Sequence, residues 1–592
     1  MPAKSSLNTL CAAALLAFLG GTLGVSGADC NSTVDNAQPS TDDTLTRIRF
    51  VQNMTASQAD FVVRNASVFT AAERSSSTAS GFAVKDGKFV AVSSNDAELE
   101  PFIGSATVVK DMAGAPVAPG LFDTHIHHIP GGRMLLKELT FSSDLPLDDM
   151  LDLINSYSAN LTNASAWVTG GSWGSTLLSQ ISTTAALKRL DEVSNGHPVL
   201  LNDDSHHNVW VNTLGLEAAG IPTEGATGVL IEGAAAPARA AQAAAEPDTL
   251  EDQKNYALRA WELLHSFGVT SIQDAAVTTS NLDAMVALDE ESRLKGWVSS
   301  CLAMDGGFAE PNVKQSDFDQ HARELARDRV RTNFTKLVLD GVPPTQTAGF
   351  LEAYLPTPEH GCNYHGVVYN TTEELVETLR LYREQGRHTK IHCTGDWSVR
   401  VAMDAFEVMR TEGSTQRYQI AHGQFVTPED RQRMATLNVY ADVSPFIWYP
   451  GVIPSAIAAV LPEEVASKMQ PNRHLLDLGV LVAAGSDWPV SADPNPWQGI
   501  GGLVTRQDPT GQFPGTLWAE QAVTVEEAIR IFSINGAKAA GLDDVVGSIE
   551  VGKAANFLFI DRDPFKINET EIGGTKVLST YVAGEEVYSS SA

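Results

Sequence analysis

The chain has 592 residues, 43% of them apolar and 19% charged, which supports a sizeable buried core and excludes general disorder. Its 72 acidic and 41 basic residues leave a formal net charge of −31, and that excess repels nucleic acid and anionic membrane surfaces as partners. At this length a large barrel with an accessory domain is expected rather than one average domain. Residues 1–27 read as a secretory signal: Lys4 supplies the positive start, residues 10–25 are an apolar run, and small residues around Gly27 offer a cleavage point. No later stretch has enough consecutive apolar residues to span a membrane. Eight Asn-x-Ser/Thr sequons follow, at Asn31, Asn53, Asn65, Asn160, Asn163, Asn333, Asn370 and Asn568. Together with the signal they imply a eukaryotic, secreted glycoprotein. Asn333 is the poorest acceptor of the eight, because it precedes a predicted barrel strand. Four cysteines outside the signal, Cys30, Cys301, Cys362 and Cys393, are too few for a disulfide scaffold.

Residues 28–58 are polar, without periodicity, and read as a flexible lead-in. From Asp60 the pattern turns to short strands, with Asp86-Gly87 as a hairpin turn, and strands return near the C-terminus in NFLFIDRDPF and VLSTYVAGEEVY. Segments 59–118 and 543–592 are therefore expected to meet in one small β-sandwich. Across 119–542, strand-like runs alternate with helical ones, the pattern of an α/β fold of the (β/α)8 TIM barrel type. Expected strands include AWVTGG, PVLLNDD, VTSIQDA, FTKLVLDG, HTKIHCTG, YQIAHGQ, NVYADVSP and VLVAAGSDWP. The Ala-rich run 233–247 reads as a helical or loop insertion.

In GLFDTHIHH, His125 and His127 alternate with Ile126, so in a strand both imidazoles share one face. His392 follows the run HTKI, His422 follows YQIA and Asp487 follows VLVAAGS. Each offers a ligand type suited to zinc or a similar ion at the C-terminal end of an apolar strand, where barrel enzymes place catalysis. Lys336 sits inside the apolar strand FTKLVLDG. Desolvation there lowers an amine's pKa and makes it nucleophilic enough to take up carbon dioxide as a carbamate; pairing with Asp340 is the structural alternative. Cys393, beside His392, reads as a small buried strand residue rather than a nucleophile.

These stretches, with NDDSHHNVWVNTLGLEAAGI and the closing GSIEVGKAANFLFIDRDP, resemble the amidohydrolase superfamily. Within it the chain is most similar to the family-3, YtcJ-like branch that includes N-substituted formamide deformylases. The resemblance runs from about Asp60 to the end and implies one or two divalent ions, most readily Zn²⁺. It implies His125, His127, Lys336 (carboxylated in two-metal members), His392, His422 and Asp487 as the metal site, with Asp487 also accepting the proton of the attacking water. It places His207 and Trp210 near the substrate, with His206 blurring that alignment by one. Two departures are visible: Asn556 stands where the branch carries an acidic residue, and VPPTQTA follows Asp340.

The expected reaction is attack of a metal-activated hydroxide on a non-peptide C–N bond in an N-acyl or N-formyl amide. A deaminase or a cyclic-imide hydrolase is the second reading, and a binding protein that has lost activity is the third. The expected partner is a small-molecule amide, and a homodimer is compatible with the resemblance. Trp173, Trp210, Asp340, the segment 446–449 and Trp488 are expected around the pocket, and Arg400, Asp396 and Asp274 are candidate supports for the ligands.

Overall fold

The computed structural model describes residues 58–590 apart from Arg74 and residues 305–312. The signal, nearly all of the lead-in, Cys30, Asn31 and Asn53 lie outside the described residues.

The centre is an eight-stranded parallel sheet. Its strands, labelled β1 to β8, are Leu121–Ile126, Val269–Val277, Trp297–Leu302, Val330–Val338, His388–Cys393, Tyr418–His422, Val439–Val443 and Val482–Ala484. Each pairs in parallel with its sequence neighbour. Parallel strands must be covered on both faces, and the apolar runs of β1, β5 and β6 are buried along almost their whole length. The sheet nearly closes. Beyond its regular ladder, the Asp487 N–H donates to the His125 carbonyl at 2.6 Å, and the His127 N–H to the Trp488 carbonyl at 2.9 Å. Gly485 permits this approach: a Cβ there would stand 2.1 Å from the His125 nitrogen.

Helices cover the barrel, and threonines set where several of them begin. Thr249, Thr278, Thr371 and Thr524 each close a capping box with the residue three positions on, and Thr427 caps a fifth helix. Such a cap satisfies amide donors that a helix start would otherwise leave open.

Two of the runs expected in the barrel belong elsewhere. Val168–Trp173 and Val199–Asp203 lie in a separate five-stranded sheet with Leu139–Thr140, Val209–Val211 and Val229–Leu230, inserted in the chain between β1 and β2. Its core includes Met150, Trp173, Leu190, Leu201 and Trp210. Apolar strands read alike whichever sheet they join. The barrel's third strand, WVSSCL, was not among the expected runs because its serines interrupt the apolar pattern. The Ala-rich run forms the helix Ala236–Ala245 at the end of this insertion.

Strands from the two ends of the described chain share a sheet. Pro116–Pro119 pairs with Ser67–Phe69 on one side and with Phe557–Ile560 on the other. A four-stranded sheet, in which Gly81–Lys85 and Lys88–Ser93 turn through Asp86-Gly87, shares the core of Phe82, Phe89, Phe557 and Tyr581. Asn556 accepts from the Ala583 N–H at 2.9 Å and donates to Thr270 Oγ1 at 3.3 Å, so its amide ties the C-terminal strands to β2. No helix among the described residues is long and apolar enough to cross a membrane. Cys301, Cys362 and Cys393 are free, and burial pushes the Cys393 thiol far above its usual range, which leaves it without nucleophilic character.

Candidate metal centre and cavity

The contact between β1 and the segment after β8 brings His125, His127 and Asp487 together. Asp487 Oδ1 lies 3.5 Å from His125 Nε2 and 3.5 Å from His127 Nε2. Asp487 Oδ2 lies 3.8 Å from His422 Nδ1. Ligands bonded at about 2.1 Å in a tetrahedron stand roughly 3.4 Å apart, so these separations suit a shared cation. Among the described residues, His125, His422 and Asp487 form a group of donors all within 4.8 Å of one another that can hold a metal ion. His392 stands beside it: its ring centroid is 4.6 Å from that of His422, while its Nε2 lies 3.2 Å from the Gly341 carbonyl. Lys336 Nζ lies 3.2 Å from His125 Nε2. Burial, reinforced by the charge of Lys390, brings its pKa down to about 8.

His422 and Asp487 both have left-handed backbones, with φ of 67° and 58°. Non-glycine residues pay about 1–3 kcal/mol for such conformations, and they collect at sites where the fold aims a side chain.

His125 is aimed from behind. Its Nδ1 lies 2.8 Å from Asp442 Oδ2, and Asp442 also accepts from Thr124 Oγ1 at 2.7 Å and Lys390 Nζ at 2.6 Å. A carboxylate on Nδ1 fixes the proton there and leaves the Nε2 lone pair for the barrel mouth, the usual support of a metal-bound imidazole. Neither Asp442 nor Lys390 was among the expected supports. Those that were serve other groups: Asp274 pairs with His128 Nδ1 at 2.5 Å, Arg400 with Asp430 at 2.7 Å, and Asp396 accepts from the Leu351 N–H at 2.8 Å.

Burial, then nearby positive groups, holds His125, His392 and His422 well below the ordinary imidazole range, so all three are neutral at pH 7 with lone pairs to offer. Outside the cluster, burial lowers His206 to about 3, and His265 and His388 to about 4. Their unfolded-state values lie near 6.5. At these three sites the unfolded chain binds more protons than the folded one between pH 6.5 and 4, so their contribution to stability is lost as pH falls through that window; Asp123 and Asp204, which burial raises to about 7, and Asp340, raised to about 6, act in the opposite direction. His388→Gln, which removes one of the three histidines, is expected to lose less stability than the parent chain between pH 6.5 and pH 4; identical pH profiles of the two melting temperatures contradict the assignment.

The cluster opens onto a cavity of about 750 Å³. Val338, Val342, Pro343, Ile447, Ile453 and Val490 are among its aliphatic lining, and the insertion contributes His206, His207, Glu232 and Arg239. Among the described residues, none of the expected tryptophans lines it, and Tyr369 is its aromatic contribution apart from the histidines. Trp173 and Trp210 are 1% and 0% exposed and lie in the insertion's own core, donating their indole N–H groups to the carbonyls of Leu201 and Thr227. Trp448 and Trp488 are packed in the main core, and Ile447 is what the segment 446–449 gives to the cavity. Asp340 does not line it either. It accepts from the N–H groups of Gly349, Thr394 and Gly395 and from Ser398 Oγ, and so holds together the loops that follow β4 and β5. His207 does line the cavity; its Nδ1 lies 2.9 Å from Glu232 Oε2, a partner that sequence reasoning missed.

A family model described as "Amidohydrolase family" matches residues 108–588. The chain belongs to the amidohydrolase family. This amidohydrolase is 27% identical over 563 residues to Protein LONG AFTER FAR-RED 3 of Arabidopsis thaliana, covering 90% of this chain and 92% of the relative. It is 26% identical over 558 residues to an N-substituted formamide deformylase of Arthrobacter pascens, covering 89% and 97%. In fold it resembles an uncharacterized metal-dependent hydrolase from Pyrococcus horikoshii OT3, with a TM-score of 0.67 at 22% identity over 86% of this chain and 99% of the other. The protein thus belongs to a hydrolase family and shares the fold of that solved hydrolase.

Proposed function

We propose that this amidohydrolase cleaves the C–N bond of a small N-acyl or N-formyl amide, and that it does so as a secreted enzyme. The observation that carries the reaction is the Asp487 carboxylate standing 3.5 Å from both His125 Nε2 and His127 Nε2 in the lining of a cavity that also holds aliphatic side chains. His125, His127, His422 and Asp487 would hold a divalent cation, with Lys336 and His392 beside it for a second. A cation there supplies Lewis acidity toward the amide carbonyl and makes a water acidic enough to attack at neutral pH. The zinc preference rests on the imidazole-rich donor set.

The chain's own residues do the remaining work. The aliphatic lining takes up the apolar acyl or amine substituent and keeps bulk water from the reacting carbonyl. Asp487 accepts a proton as the water oxygen bonds to the carbonyl carbon, then returns it to the nitrogen as the C–N bond breaks, leaving a carboxylic acid and an amine. Asp442 holds His125 in the tautomer this arrangement needs. The reading draws further support from the similarity to the formamide deformylase. Secretion is supported by the signal-like leader and by the exposed sequons Asn65, Asn160, Asn163 and Asn568.

Enzyme recovered from the medium of a eukaryotic host and supplied with zinc is expected to release formate or a carboxylate from an N-formyl or N-acyl amine. Ammonia as the nitrogen product would make it a deaminase instead, and retention of the protein inside the cell would overturn secretion.

A further inference from the structure

The Ala-rich helix Ala236–Ala245 carries one charged side chain, Arg239, and that side chain lines the cavity. The small residues around it let the helix pack closely, with Ala238 in a core shared with Leu200 and Val209 of the insertion's sheet. The Arg239 guanidinium donates to Asn202 Oδ1 at 2.8 Å and to the His206 carbonyl at 3.0 Å. Both acceptors are neutral, and they occupy two of its five N–H donors. Among the described residues it forms no ion pair. The acids whose charge it senses, Asp203, Glu138 and Glu232, are each held by other groups. Asp203 accepts from Ser205 Oγ and Asn208 Nδ2, both at 2.6 Å, and Glu138 pairs with Arg133. Glu232 meets His207 Nδ1 and Thr347 Oγ1, both at 2.9 Å, and is also hydrogen-bonded by Tyr369. Burial lowers the pKa of Arg239, so the charge of these acids does not make up for the water its guanidinium has lost.

A cavity-lining guanidinium with donors to spare and no counter-ion suits a carboxylate, whose two oxygens match its planar fork. Lys336, the other lysine or arginine among the described lining residues, is engaged beside His125. We propose that Arg239 binds a carboxylate carried by the substrate apart from its scissile bond, so that the preferred substrates are anionic amides. The proposal rests on the amide-hydrolysis reading above. Val338, Ile447 and Ile453 take the apolar part of such a substrate, and the guanidinium fixes its charged part. Asn202 and the His206 carbonyl hold the guanidinium before substrate arrives, so little rotamer freedom is lost on binding. An uncharged amide leaves those donors as they stand, whereas a carboxylate gains charge-assisted hydrogen bonds where water is scarce.

Two pairs of amides test this with the zinc-loaded parent and Arg239→Gln. N-formylleucine is set against N-formylisopentylamine, and N-isopentylsuccinamate against N-isopentylbutanamide. The carboxylate sits on the amine part in the first pair and on the acyl part in the second. In at least one pair the parent is expected to favour the acid in kcat/KM by about 10–100-fold, chiefly through KM. In Arg239→Gln that preference is expected to fall to about threefold or less. Each preference is a ratio within one protein, so a smaller folded fraction does not imitate the result. A parent that favours the uncharged amide in both pairs, or a preference that survives in Arg239→Gln, overturns the proposal. Calorimetry of the same compounds with Asp487→Asn, alone and combined with Arg239→Gln, reads binding without turnover. The acid's advantage in affinity is expected to be lost in the combined variant, and its persistence there overturns the proposal. Such a loss, in a protein whose parent hydrolyses none of these amides, would support the anion site while sinking the amide-hydrolysis reading.

Discussion

Asp487→Asn is expected to lower kcat by about 10²–10⁴-fold while the purified protein keeps its metal. The amide matches the carboxylate in shape but cannot accept a proton from water or hand one to the departing nitrogen. Metal retention follows from the donor set: His125, His127 and His422 still face the same point, and an amide oxygen replaces one carboxylate oxygen. KM should change little, because the lost interaction belongs to proton transfer and not to substrate binding. Normal turnover in this variant would remove Asp487 as the base. Loss of metal together with turnover would make it a ligand first.

Asp442→Ala is expected to be the most damaging single change to the molecule. Asp442 is 1% exposed and meets Lys390, which is 0% exposed, at 2.6 Å. Removing one member of a buried pair costs about 3–5 kcal/mol, because the other charge is left without compensation. With about 2 cal/mol/K of unfolding entropy per residue, a chain of this length shifts by roughly 1 °C per kcal/mol, so a fall of about 3–5 °C in melting temperature should result. Asp442 also sets the tautomer of His125, so metal affinity should fall about 10–100-fold. The two effects separate in the double variant Asp442→Asn with Lys390→Met, which removes both charges. Its stability should recover much of the loss, and its metal affinity should stay low. Recovery of both would show that the carboxylate acts on the fold alone and does not orient the imidazole.

Much of this was legible in the sequence, and its limits have physical causes. A polar residue ending an apolar strand is visible without a structure, which is why His125, His127, His392, His422 and Asp487 stood out. Lys336 was visible for a related reason, as a charge inside an apolar strand. The same reasoning applied to Lys390 in HTKIHC and Asp442 in VYADV would have found the buried pair. What it could not supply is the contact between β7 and β1 that sets Asp442 behind His125. Glu232 gave less signal still, since its partners His207, Thr347 and Tyr369 are joined only by the packing of the insertion against the loop after β4. The tryptophans misled for the opposite reason. Trp173 and Trp210 lie in short apolar strands near the expected pocket, and an aromatic residue there reads alike whether it lines a cavity or fills a core. Here the insertion has a core of its own to fill, and the cavity takes prolines and aliphatic side chains instead.

His125, His127, His422 and Asp487 are expected to bind a divalent cation at the barrel mouth. The most direct test is elemental analysis of the purified protein beside the variant combining His125→Ala and His127→Ala. At least one equivalent of a divalent transition metal is expected in the first and little or none in the second, with both chains folded. Equal metal in the two proteins, or none in the first after growth with zinc, would contradict this assignment.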